Sequence, residues 1–239
     1  MYPSYRNQMR HITSESAHEF RSFRGCKNDP PPLTWHTVDH AILMEVLKRR
    51  FGVEGNALSW LAEFLHERSQ VVRVCESESD SLPLHFGVPQ GSVLGSKRFI
   101  EYTEDVDDLF VRHGVCHHLF ADDLQGFRSG HPSDISVIIT VVEDCLSDVS
   151  SWSATKRLQV SVTKTDILWF GSETNLRKVL PANRDISVGQ SVIQPVTVVR
   201  DLGVLTDGEL SMRQHVTRLS QTCFFHLRRL RSLASITRA

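Results

Sequence analysis

Cysteine is scarce and unpatterned in this chain. Cys26, Cys75, Cys116, Cys145 and Cys223 are odd in number, widely spread, and never spaced as Cys-x-x-Cys. That spacing excludes a disulfide framework and a cysteine-built zinc knuckle. Long apolar runs are also missing, since no stretch approaches the roughly 18 residues that a bilayer span needs. The opening MYPSYRNQMRHITSE lacks the apolar segment of a secretory leader. No internal repeat is present. Together these absences predict an intracellular setting, cytoplasm or nucleus, with no membrane span. What remains is globular in character. With 40% hydrophobic and 23% charged side chains, the 239 residues can bury the core of one or two modest domains, which excludes collagen-like and wholly disordered chains.

A net charge of only −1 hides strong segregation. Residues 1–28 carry five basic and two acidic side chains. Residues 99–150 carry eleven acidic side chains against Arg112 and Arg128, and residues 210–239 carry six arginines and no acid. Basic ends suit a polyanionic partner, and an acidic centre suits a divalent metal. A folded surface on which these charges mix would account for the same counts.

Periodicity predicts a helix from His40, capped by Asp39 and stopped at Gly52, with Ile42, Leu43, Val46 and Leu47 on one face. A second helix is predicted over 57–67, with Leu58, Leu61, Phe64 and Leu65 as its stripe. Short β-rich runs flank a polar turn at 76–81, and the glycine-rich loop Gly87-VPQGSVLG follows. A mixed apolar and acidic helix is expected over 99–110, then strand, turn and strand over 116–127. The stretch 135–152 reads as a long helix despite its β-branched run. Strands are expected at 158–162, 167–170 and 196–205, and an arginine-rich amphipathic helix at 212–233. The pattern predicts an α+β fold with helices covering one face of a sheet.

The sharpest chemical feature is Phe120-Ala121-Asp122-Asp123. Adjacent carboxylates in a straight strand point to opposite faces, but at a hairpin turn both can approach one site. With a third carboxylate from a neighbouring strand, such a pair can hold two Mg2+ ions for phosphoryl transfer. Asp-Asp also occurs at 107–108, so the doublet alone is a weak signal.

Its company strengthens it. FGVPQGSVLG, HLFADDLQ, VTKTDILWFG, VRDLGV and CFFHLRRLR occur in that order, after an opening PSYRNQMRHITSESA. These segments closely resemble the reverse transcriptase domain of non-LTR retrotransposons, of the LINE-like jockey and CR1 type. The resemblance covers nearly the whole chain and implies a right-hand polymerase: a shortened fingers remnant at 1–32, a palm at 33–205, and the start of a truncated helical thumb at 206–239. It implies RNA-directed DNA polymerase activity on an RNA template and DNA primer, with deoxynucleoside triphosphates as substrates and Mg2+ or Mn2+ as cofactor. It assigns Asp122 and Asp123 as catalytic metal ligands, and Lys164 as a cation or proton donor near the triphosphate. Gln90, Gly91 and Ser92 would contact nucleotide or template, with Gly91 and Gly95 letting backbone approach the base pair. Arg228, Arg229 and Arg231 would face a phosphate backbone.

The resemblance breaks at one decisive position. The family's first catalytic aspartate lies in a segment like LSAAFDTVDH, where this chain reads PPLTWHTVDH and has His36. A neutral imidazole nitrogen cannot bridge two hard cations as a carboxylate does. Asp39 could replace it only through local rearrangement. The segment from Ala17 to His36 is also shorter than the family's, and Pro30 to Pro32 disfavour a central strand. Ser96 replaces a family proline, and Leu124 a threonine. A truncated, degenerate and catalytically impaired copy is therefore expected. Two alternatives stand beside it. One is a nucleic-acid-binding remnant without chemistry. The other is a metal-dependent hydrolase built on His36, Asp39 and His40, with His113, Cys116, His117 and His118 as further ligands.

Overall fold

Asp39 begins the first helix as its spacing predicts. In a computed structural model, its Oδ1 accepts the amide of Ile42 at 3.0 Å, capping α1 (His40–Phe51), and Gly52 ends that helix with φ 64°. The structure describes residues 20–21, 37–89, 92–120, 123–158, 160, 164–178 and 185–236, with backbone alone at 20–21 and 234–236. The remainder of 1–32, including the triproline, and His36 lie outside the described residues.

The second helix, α2 (Gly55–Leu65), packs against α1 through the predicted stripes, burying Leu43 and Leu47 with Leu61 and Leu65. Each such leucine contributes roughly 1.5–3 kcal/mol on burial. A narrow antiparallel ribbon follows. In it β2 (Ser69–Gln70) pairs with β5 (Leu82–Pro83), and β3 (Arg73–Val74) with β4 (Ser77–Glu78). All of residues 69–83 are exposed, so the ribbon projects from the core.

The helix predicted over 99–110 is two helices, α3 (Val93–Thr103) and α4 (Val106–His113). Tertiary contacts cause the break. Asp105 Oδ1 accepts Trp152 Nε1–H at 3.0 Å, and its Oδ2 lies 2.8 Å from Lys156 Nζ. These bonds hold the junction to the far end of α5 (Ile135–Thr155) and turn the chain there. The β-branched run does not prevent α5 from forming. Ile138, Val142 and Leu146 pack on one cluster, and Cys145 and Val149 on another with Phe110. Burial of this size outweighs propensity losses of a few tenths of a kcal/mol per residue. It also pushes the Cys145 thiol pKa up to about 11.

Strands β6 (Cys116–Phe120) and β7 (Asp123–Phe127) form the predicted hairpin, in register from Cys116↔Phe127 to Phe120↔Asp123. Buried β8 (Leu168–Trp169) pairs antiparallel with β1 (Phe20–Arg21), which also lies beside β7. After α6 (Glu173–Lys178), a segment for which no strand is predicted forms the hairpin β9 (Ile186–Val188) and β10 (Ser191–Ile193), whose Ile186 and Ile193 bury against α5. The strand predicted over 196–205 is instead a hairpin, β11 (Val198–Asp201) and β12 (Val204–Asp207), turning at Leu202 and Gly203, φ 41° and 92°. Leu158 and Val160 are not in a strand. The chain ends its described part with α7 (Arg213–Ile236).

The fold is thus mixed helix and strand. Among the described residues the strands pair two by two, not as the single covered sheet that the pattern predicts. No helix among them is long and apolar enough to cross a membrane.

Candidate active site

Hairpin β6–β7 is held from both sides. On β6, His117 turns inward, stacks on Phe110 at 4.8 Å and lies 2.5 Å from Asp107 Oδ1 through Nε2. On β7, buried Gln125 donates Nε2–H to Asp201 Oδ1 at 2.7 Å, tying the hairpin to the turn of β11–β12. Asp123 stands half-buried at the first position of β7, opposite exposed Phe120. Its neighbour Asp122 lies outside the described residues, as do Gln90 and Gly91. Lys164 is half-buried ahead of β8.

The glycine-rich loop is anchored at both ends. At its start, Gly87 N–H donates to Val38 O at 2.8 Å, Asp39 bridges Phe86, and His40 Nε2 meets Gly87 O at 2.8 Å. Gly87 has φ 90°, a backbone state that favours glycine. At its end, Ser92 caps α3. Its hydroxyl donates to Pro89 O at 2.7 Å and accepts Gly95 N–H at 2.9 Å, leaving one lone pair for any ligand. A Cβ on Gly95 would stand 2.3 Å from Pro89 O. The close approach that this glycine permits is to the loop's own backbone.

Asp39 is fully engaged. Besides capping α1, it places Oδ2 2.6 Å from Arg157 Nη1 while only 6% exposed. Beneath it, the Tyr102 hydroxyl donates to Lys156 O at 2.5 Å and lies 3.5 Å from Asp39 N. Burial pushes the Tyr102 pKa up to about 12. With Asp39 on Arg157 and His40 on Gly87, two of the three hydrolase candidates are committed to protein groups. His113 and His117 are likewise held by Asp148 and Asp107. Among the described residues, which omit His36 and Asp122, no group of three His, Cys, Asp or Glu is placed to hold a metal.

Arg228, Arg229 and Arg231 lie exposed on α7, with Arg229 Cζ 5.7 Å above the Phe225 ring. The root of α7 is fixed by His215, whose Nδ1 accepts Leu205 N–H at 3.3 Å. The structure therefore joins the loop to the start of α1, the aspartate hairpin to β11–β12, and α7 to β12. Sequence reasoning missed His40, Gln125 and Asp201 as positioning groups. Their only signal was a polar residue beside each motif, and such residues are usually solvated.

The chemistry of the donor set is split. Asp122 and Asp123 supply hard anionic oxygens that suit a divalent cation, whereas His36 supplies none. Comparison with known proteins bears on the class. A protein-family model described as "Reverse transcriptase (RNA-dependent DNA polymerase)" matches residues 34–204, from just before α1 to the first residue of β12. The chain is 24% identical over 182 residues to the "Probable RNA-directed DNA polymerase from transposon BS" of Drosophila melanogaster. That alignment covers 72% of this chain and 19% of the relative, so the chain spans about a fifth of its length. The anchored loop, the Asp123 hairpin and the Asp201 that braces it all fall within the matched span, and the chain belongs to the reverse transcriptase (RNA-dependent DNA polymerase) family.

Proposed function

We propose that this chain is the RNA-directed DNA polymerase domain of a non-LTR retroelement, impaired at its first carboxylate, where His36 stands. The observation that carries this reading is the Asp123 hairpin, braced by Gln125 on Asp201, within a chain of this family. Residues 33–205 serve as palm, the remnant before them as fingers, and α7 as the start of a thumb. Asp122 and Asp123 would hold Mg2+ or Mn2+, which when bound neutralises charge developing on the triphosphate. Gln90, Gly91 and Ser92 orient nucleotide and template. In the reaction the primer 3′-hydroxyl gives up its proton to solvent as its oxygen bonds to the α-phosphorus, and the bond from that phosphorus to pyrophosphate breaks. Lys164 supplies positive charge or a proton to that leaving group. Arg228, Arg229 and Arg231 hold the primer–template backbone without reading sequence.

His36 favours one second reading, a remnant that binds primer–template without extending it. Primer extension on an RNA template with Mg2+ or Mn2+ separates the two. The polymerase reading expects feeble incorporation, lost in Asp122→Asn and raised about a hundredfold or more in His36→Asp. Binding with no incorporation in either His36→Asp or the parent chain would establish the remnant instead.

A further inference from the structure

We infer that His40 is a positioning residue: its imidazole sets the glycine-rich loop through the Gly87 carbonyl and thereby tunes affinity for a nucleoside triphosphate. The inference rests on the proposed role of that loop in contacting nucleotide.

A carbonyl oxygen can only accept, so His40 Nε2 carries the proton in the 2.8 Å contact with Gly87 O. His40 is the first residue of α1, half-exposed, and its ring reaches out of the helix to a residue 47 positions away. The contact completes a clamp. Gly87 gives its N–H to Val38 O and its carbonyl accepts from His40, so both backbone polar groups of Gly87 are held by the chain that starts α1. The flanks are rigid, since Val38, Asp39 and Val88 are buried, and Asp39 is itself locked by Arg157.

Gly87 is also where direction is decided. With φ 90° and no side chain, it has more conformational freedom than any neighbour, so the orientation of its carbonyl sets how the chain leaves into Val88 and Pro89. Ser92 and Gly95 secure only the far end. Releasing His40 loosens the near end at the Gly87 carbonyl, leaving the backbone contacts of Val38 and Asp39 in place and α3 untouched.

Two variants of the full chain test this. Alanine suits a helix at least as well as histidine, so His40→Ala should fold. Glutamine offers an amide N–H at similar reach, so His40→Gln should restore the bond. Hydrogen–deuterium exchange and equilibrium binding of a fluorescent deoxynucleoside triphosphate, with Mg2+ and an RNA–DNA primer–template, are the readouts. In His40→Ala, exchange across 84–95 and the nucleotide Kd should each rise about fivefold, as for loss of one hydrogen bond. Exchange across 43–51 should stay unchanged, and His40→Gln should recover both values. Unchanged exchange at 84–95, an equal rise throughout α1, or no recovery with glutamine would overturn the inference. If exchange responds as stated but even the parent chain binds no nucleotide, the clamp stands and the polymerase reading of the loop fails separately.

Discussion

Gln125 and Asp201 are 76 residues apart in the chain and 2.7 Å apart in the fold. The amide of one, buried two residues beyond Asp123, is held by the carboxylate at the turn of the neighbouring hairpin. Removing the carboxylate leaves a buried amide unsatisfied, which costs about 1–3 kcal/mol. Asp201→Ala should therefore lower stability by that amount in urea unfolding. Combined with Gln125→Leu, the two losses should fall short of their sum, because they remove one shared bond. Strict additivity would show that the bond does not form.

Arg98 and Glu101 face each other one turn apart on α3, 2.8 Å between Nη1 and Oε2, at 7% and 9% exposure. Burial raises the Glu101 pKa even against the pull of Arg98 and Lys97, and Arg98 Nε finds no acceptor among the described residues. Such a pair is a poor source of stability. Arg98→Met with Glu101→Leu should match the parent or exceed it by about 1–4 kcal/mol, whereas Arg98→Met alone should cost about 3–5 kcal/mol. Chemical denaturation measures both.

Asp207 organises the approach to α7. Its Oδ2 accepts Ser211 Oγ–H at 2.6 Å, and its Oδ1 accepts the amides of Ser211 and Glu209 at 2.8 and 3.2 Å. The Ser211 hydroxyl leads these in holding the carboxyl below its ordinary pKa of 3.8. A depressed folded pKa adds stability that is present above the unfolded value and lost as pH falls through the folded one. Asp207→Asn should therefore be less stable than the parent at neutral pH. The gap should close on acidification below pH 3.8, and thermal melts across that range would reveal a gap that fails to close.

Arg228, Arg229 and Arg231 are exposed on a helix with no acidic residue in its length. If they meet phosphates, replacing all three by alanine should weaken binding to RNA–DNA primer–template of any sequence. The slope of log K against log salt should also become shallower, by up to about 3. Fluorescence anisotropy in a salt series measures both, and an unchanged slope would place the nucleic acid elsewhere.

Much of the local structure was legible. Asp39 and Gly52 bracket α1 because a cap and a left-handed terminator act within one turn of themselves. The β6–β7 hairpin follows from short strands around a tight turn. The division of 93–113 into two helices was not legible, since neither Gly nor Pro marks the junction and the cause, Trp152 and Lys156 on Asp105, lies about 50 residues on. Hairpin β9–β10 was missed because its alternating runs, Ile186-Ser-Val and Ser191-Val-Ile around Gly189-Gln190, are only three residues long, and burial of Ile186 and Ile193 against α5 is what fixes them.

The sequence by itself determined the family of the protein and the chemistry of the groups from which its site is proposed: an aspartate doublet, a glycine-rich loop, a lysine, an arginine helix, and an imidazole where the resemblance expects a carboxylate. Those are properties of residue type and order, which do not depend on folding. Tertiary structure alone decided which polar groups remain available for chemistry. It engages Asp39 with Arg157, His40 with Gly87 and Gln125 with Asp201, because a buried polar group takes whatever partner the packed chain brings within hydrogen-bonding distance.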